Sequence, residues 1–217
     1  DGTLAELPSP WPPGQTARLP TGERREVLAL AVAPDGSTYV LELREGALYK
    51  LAPGATAWTL LARDLSVNGR SDILAMPDGD VLVSEGLRAN EPATSRFGVR
   101  RVKPDGQVVA FTGGSEQGAE IEDRPVATAR FFEAAGLALR SDGAVLISDL
   151  DAGLVRAAGT DGVVRLVAGK PAGPIDFAKS ATLSVPSGIA LDAQGRVVVS
   201  EFAGHAVRRQ DGTTLVT

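Results

Sequence analysis

Hydrophobic positions along the chain fall into short runs that recur in a fixed order. Four tight turns, Asp35-Gly36, Asp78-Gly79, Asp142-Gly143 and Gln194-Gly195, are each preceded by one apolar run and followed by a second. The earlier run begins seven residues before the Gly, as in GLALRSDG (136–143) and GIALDAQG (188–195). The later one contains TYVL, VLVS, VLIS or VVVS, and six residues after each Gly it closes on an acid: Glu42, Glu85, Asp149 and Glu201. A third run then ends on a base, Lys50, Arg100, Arg156 or Arg208. A second turn follows at Pro53-Gly54, Asp105-Gly106, Asp161-Gly162 and Asp211-Gly212, and a fourth run completes the unit: TAWTLLA, QVVAFTG, VVRLVAG and TTLVT. Short β-branched runs bounded by Gly and Asp are strand signals. No stretch keeps a helical period over a useful length.

Each unit therefore reads as strand a, turn, strand b, loop, strand c, turn, strand d. Repeated four-stranded antiparallel units predict an all-β protein, a β-propeller of four-stranded blades. A β-sandwich would not explain why the same acid-to-base register returns in every unit. The b runs are apolar at successive positions, as a blade covered on both faces requires. The expected division is blade 1 at 28–65, blade 2 at 66–114, blade 3 at 134–169 and blade 4 at 186–217, with linkers at 8–27, 115–133 and 170–185. Residues 1–7 resemble a second turn plus strand d (Asp1-Gly2-Thr3-Leu4 against Asp211-Gly212-Thr213-Thr214). Because blade 4 has its own strand d, 1–7 would serve a preceding blade. The expectation is about four blades and one strand of a larger, five- or six-bladed propeller.

Composition narrows the chemistry. The 217 residues carry Lys+Arg 22 against Asp+Glu 27, net charge −5, with no Cys and one His. A chain without Cys has no disulfide framework, thiolate metal site or cysteine nucleophile. One His rules out a centre needing two imidazoles. Mild acidity argues against a broad phosphate-binding surface. The longest apolar runs, such as 28–33, fall far short of the roughly 18 residues of a membrane span, so membrane insertion is not expected. The start at Asp1-Gly2 shows no basic or apolar targeting pattern. Most of the basic residues are Arg, only Lys50, Lys103, Lys170 and Lys179 being Lys, which fits a GC-rich bacterial source.

The segment VPSGIALDAQGRVVVSEFAGHAVRR (185–209) closely resembles the NHL repeat, and AAGLALRSDGAVLISDLDAGLVRA (134–157) matches with Ala135 where Pro is usual. The first two units share only the turn, the acid and the base. DRPVATARFFEAAGLA (123–138) and KSATLSVPSGIA (179–190) are similar to linkers of bacterial NHL propellers. This resemblance covers most of 28–217. It implies the propeller fold and an extracytoplasmic or secreted setting, as in teneurin-like and YD-repeat proteins. It also implies a packing and hydrogen-bonding role for His205, at the position NHL repeats often fill with His.

Antiparallel order puts every a–b and c–d turn on one face and every b–c loop and d–a linker on the other. The second face holds all the length variation: 86–98, 113–135 and 169–186. Long loops on a rigid scaffold are where binding concentrates. The partner-binding candidates there are Arg88, Asn90, Arg96, Glu120, Asp123, Arg124, Asp176 and Lys179. Residues 115–133 hold five acids against two arginines, while RNA-binding NHL proteins use a basic face, so nucleic acid is not an expected partner. Phe131 and Phe132 are expected beneath the next strand, and Trp11 and Trp58 in packing.

Four carboxylates around an axis could ligate a hard cation. Each is matched by a base, however, which favours structural ion pairs: Glu42 with Lys50, Glu85 with Arg100, Asp149 with Arg156, and Glu201 with Arg208. No metal or cofactor is expected. Neither Asn68 nor Asn90 falls on a strand a and no Gly-x-Ser-x-Gly or phosphate loop is present, while Asp72 and Asp192 flank strand a runs. The reading is a non-catalytic interaction or scaffold propeller whose partner is a protein, a glycan or a neighbouring domain. The alternative is a metal-assisted lactonase- or esterase-like hydrolase built on Asp72 or Asp192.

Overall fold

The computed structural model describes residues 7–10, 24–86, 97–114, 123–169, 183–211 and 214–216. The described residues form seventeen strands and no helix, arranged as four antiparallel sheets in succession. Blade 1 is β1 (Val27–Val32), β2 (Thr38–Glu42), β3 (Ala47–Leu51) and β4 (Thr59–Ala62). Blade 2 is β5 (Ile73–Ala75), β6 (Val81–Glu85), β7 (Phe97–Val102) and β8 (Val108–Gly114). A two-residue strand, β9 (Arg124–Pro125), precedes blade 3: β10 (Ala134–Leu139), β11 (Val145–Asp149), β12 (Leu154–Ala158) and β13 (Val163–Ala168). Blade 4 is β14 (Pro186–Leu191), β15 (Val197–Glu201), β16 (Ala206–Asp211) and β17 (Thr214–Val216). Each blade runs a-b-c-d, and neighbours pack in chain order. This is the β-propeller the repeat predicts.

The turns close as their residues require. In each a–b turn an Asp carboxylate accepts the N–H two residues on, as Asp142 does from Ala144 at 3.1 Å and Asp35 from Ser37 at 2.8 Å. In blades 1 to 3 the intervening Gly stands at positive φ, 86° at Gly143, which a side chain disfavours; in blade 4 the positive-φ Gly is Gly195, one residue beyond Gln194.

At the opposite end a second device repeats. The residue after each strand b acid donates its N–H to a carbonyl in the segment leading into strand a. These bonds are Leu43 to Glu26, Gly86 to Ser66, Leu150 to Glu133 and Phe202 to Val185, at 2.8–3.0 Å. In return each acid accepts an N–H from that segment: Glu42 from Glu26, Glu85 from Ser66, Asp149 from Phe132 and Glu133, and Glu201 from Ser184. The clamp fixes where the linker turns into the next inner strand.

Of the four expected ion pairs, Glu201–Arg208 forms, at 3.1 Å, and the other three are not among the described ion pairs. The register sets Arg100, Arg156 and Arg208 opposite Val83, Ile147 and Val199, two positions short of the acid. Buried Arg156 lies 4.6 Å over the Phe131 ring and donates to the Arg130 carbonyl. Lys50 sits opposite Tyr39 and stands 5.5 Å over its ring. Strand parity places Lys50 on the other face from Glu42.

Three apolar layers join the blades. Tyr39, Leu41 and Leu48 meet Ile73, Val81, Val83 and Val102. Leu82 and Val99 meet Leu137, Val145 and Ile147. Ala138, Leu146, Val155 and Ala157 meet Val197 and Val199. Every d–a linker adds an anchor to its layer: Leu65 and Val67, Phe131, and Leu183. At the two ends of the series the equivalent faces are open. Val207 holds the place of Val155 but is 61% exposed against 0%, and Leu30 holds the place of Leu137 but is 57% exposed against 5%.

Candidate functional site

A cavity of about 530 Å³ lies at the inner strands, at the end of the blades where strand a starts and strand b finishes. Leu28 and Ala29 of β1 form one wall. Residues 69–72, running into β5, form a second. Val185, Ser187 and Gly188 come from the start of β14, and Leu150 and Phe202 directly follow the strand b acids. All belong to the loop-rich face. The clamp explains why Leu150 and Phe202 are there: their N–H groups are tied to the linker, which fixes the direction of the chain at the cavity. Phe202 is 73% exposed.

Asp72 is the carboxylate among the lining residues. Its Oδ1 accepts the N–H of Ile73 at 2.9 Å and its Oδ2 that of Leu137, in blade 3, at 3.0 Å. Its own N–H is held by Ser84 Oγ at 2.8 Å. Burial raises the Asp72 pKa, and the two backbone bonds offset part of that effect. The corresponding strand a positions are Ala29, Gly136 and Gly188, so blade 2 alone sets a charge there. In blades 3 and 4 a serine hydroxyl reaches the same backbone site, Ser148 to Gly136 at 2.8 Å and Ser200 to Gly188 at 2.9 Å. Ser187 Oγ lies 3.2 Å from Ser200 Oγ.

Arg70, at the cavity wall, is bound to Glu133 at 2.7 Å, and Asn68 Nδ2 holds the other Glu133 oxygen at 2.7 Å. This network ties blade 2 to blade 3, with Asp149 next to it through the Glu133 N–H. Burial pushes Asp149 up to about 7, against the opposing effect of the Glu133 N–H bond, the Arg156 charge and the Phe132 N–H bond. The carboxyl of Asp151 is also raised, first by desolvation and then by the charge of Glu133.

The partner-binding candidates fall elsewhere. Arg88, Asn90, Arg96, Glu120, Asp176 and Lys179 lie outside the described residues, as does Trp11. Asp123 and Arg124 are at the outer edge of blade 3, where β9 pairs with the start of β13 and Asp123 lies 3.4 Å from Arg165. That end carries the c–d turn, so this part of the 113–135 linker leaves the loop-rich face. Asp192 closes the a–b turn of blade 4 and is bound to Arg196 at 2.7 Å, at the far end of strand a from the cavity. Asp72 and Asp192 therefore cannot act on one substrate. His205 is exposed in the b–c turn with φ 46°, a slot filled by Gly46 and Gly153 in blades 1 and 3. Trp58 donates to the Pro8 carbonyl at 2.7 Å. Among the described residues no group of three or more His, Asp or Glu converges as metal ligands.

Sequence reasoning missed Arg70, Ser71, Leu150, Ser187 and Phe202. A usable signal existed for two of them, since the residue after each strand b acid always stands beside the inner strands.

Neither a family model nor a curated protein matches the sequence. Solved β-propellers match the structure. A protein of unknown function from Bacteroides thetaiotaomicron aligns at TM-score 0.65 and 23% identity over 86% of this chain and 46% of its own. An auxiliary nutrient binding protein from the same species aligns at 0.62 and 14%, over 87% and 48%. A putative gluconolactonase aligns at 0.54 and 17%, over 90% and 63%. At these identities the likeness is one of fold, and this chain spans roughly half to three-fifths of their lengths. None of these three is described as an NHL protein, and the NHL likeness is one of motifs.

Proposed function

We propose that this chain is a non-catalytic binding propeller with NHL-like units, which holds a protein or glycan partner at the loop-rich end. The cavity carries this reading. It has apolar walls, an exposed aromatic ring at Phe202 and a few fixed polar groups, the usual make-up of a binding site. Each strand b acid has at least one oxygen taken up by a backbone N–H, which gives these carboxylates a structural role. A nutrient-binding neighbour agrees with this reading, and the open faces of blades 1 and 4 agree with an arc of a larger ring. A secreted or extracytoplasmic setting goes with the NHL-like motifs.

The test is a glycan array and a panel of purified surface proteins, followed by calorimetry on the ligands found. Phe202→Ala is expected to weaken such a ligand about ten-fold without lowering Tm. Ligands indifferent to Phe202→Ala and to Leu150→Trp would place binding elsewhere. Hydrolysis of a lactone, abolished by Asp72→Asn, would instead establish the hydrolase reading suggested by the gluconolactonase neighbour.

A further inference from the structure

We infer that the cavity selects ligands that carry a primary ammonium group on an apolar body, with Asp72 receiving the ammonium. The inference rests on the reading of this face as a binding face and adds the chemistry of what enters it.

Asp72 is a partly buried carboxylate with no ion-pair partner among the described residues. Its bonds go to two backbone N–H groups, one on each oxygen. Each oxygen keeps a lone pair for a further donor. The cation beside it, Arg70, is committed to Glu133. A buried charge without a counter-charge is costly, and a cationic partner relieves that cost. The fold does not demand the charge, because Ala29, Gly136 and Gly188 occupy the same register in the other blades. The remaining wall suits a hydrocarbon: Leu28, Ala29, Leu150, Val185 and Phe202. A neutral hydroxyl can bond to Asp72 but leaves its charge uncompensated. An ammonium does both, through a charge-assisted bond about twice as strong. Such a group can come from a free amine or from a lysine side chain of a protein partner.

Calorimetry of the 217-residue chain with hexylammonium and 2-phenylethylammonium, each against its alcohol, tests the inference. Nα-acetyl-lysine methylamide tests the side-chain source. The amines are expected to bind about ten-fold more tightly than the alcohols. In Asp72→Asn, which keeps an acceptor for Leu137, the difference should vanish while alcohol binding persists. Leu150→Trp fills the cavity, leaves the Asp72–Leu137 bond in place, and should lose both classes. Equal binding of amine and alcohol to the native chain, or a preference that survives Asp72→Asn, overturns the inference. If the alcohols still bind and depend on Phe202, the binding face stands and only its ammonium chemistry falls. If no probe binds, ammonium selection falls, and the glycan and protein screen decides the face separately. Preference for the lysine amide over the free amines identifies a protein partner, and the reverse a small molecule.

Discussion

Asp149 shows how one residue can take a role that its neighbours in sequence do not reveal. It follows VLIS as its counterparts follow VLVS and VVVS, yet burial pushes it up to about 7. A carboxyl whose folded pKa lies above its unfolded value of 3.8 binds more protons folded than unfolded. Stability should therefore fall as pH rises from about 4 to about 7. Asp149→Asn should flatten that slope, and urea melts at a series of pH values measure it. Asp149→Ala removes the acceptor of two amides and is expected to cost about 1–3 kcal/mol for each buried N–H left unpaired. The acid–base spacing pointed instead to Arg156. A spacing in sequence does not report which neighbour, side chain or backbone, reaches a carboxylate first. His205 is the complementary case, with a side chain at φ 46° where Gly46 and Gly153 stand in two other blades. His205→Gly is expected to raise stability by up to about 1 kcal/mol, read from chemical denaturation.

The strands themselves were legible because their ends are written chemically. An Asp-Gly or Gln-Gly turn marks one end of strand b and an acid the other, so β6, β11 and β15 fall where the repeat puts them. The fifth strand on blade 3, β9, left no such mark: two residues, one of them Pro, carry neither alternation nor β-formers. Packing between blades was legible only as alternation, not as distance. Gly136 illustrates the gap. A Cβ there would meet the Ser187 carbonyl oxygen at 2.5 Å and the Ile189 nitrogen at 3.0 Å, both backbone atoms of blade 4. Gly136→Ala should therefore cost about 1–3 kcal/mol. Hydrogen exchange should rise in β14–β16 before it rises in blade 1, because the change wedges one inner strand from the next.

At the scale of the whole molecule, the cavity draws on four blades, through residues as distant as Leu28 and Phe202. A repeat describes what each blade shares, and the cavity is made of what they do not share: Asp72 where others have Gly or Ala, Phe202 where blade 2 has Gly86. The two end faces are likewise set by the whole. Gly188, Ala190, Val198 and Val207 reproduce the surface that blade 3 buries as Gly136, Ala138, Leu146 and Val155, yet no blade of the described structure covers them. The chain is expected to associate as its concentration rises, and Val207→Asp to suppress this while leaving Tm close to the native value, both measured by sedimentation velocity and thermal melting. The surfaces at the two ends differ, since blade 1 presents Leu30 and Val32 and blade 4 presents Val207 and Val216. A molecule joined through unlike ends has a polarity. Copies that meet in this way add head to tail, so the assembly either closes into a ring or grows as a fibre, and the rotation between successive copies decides which.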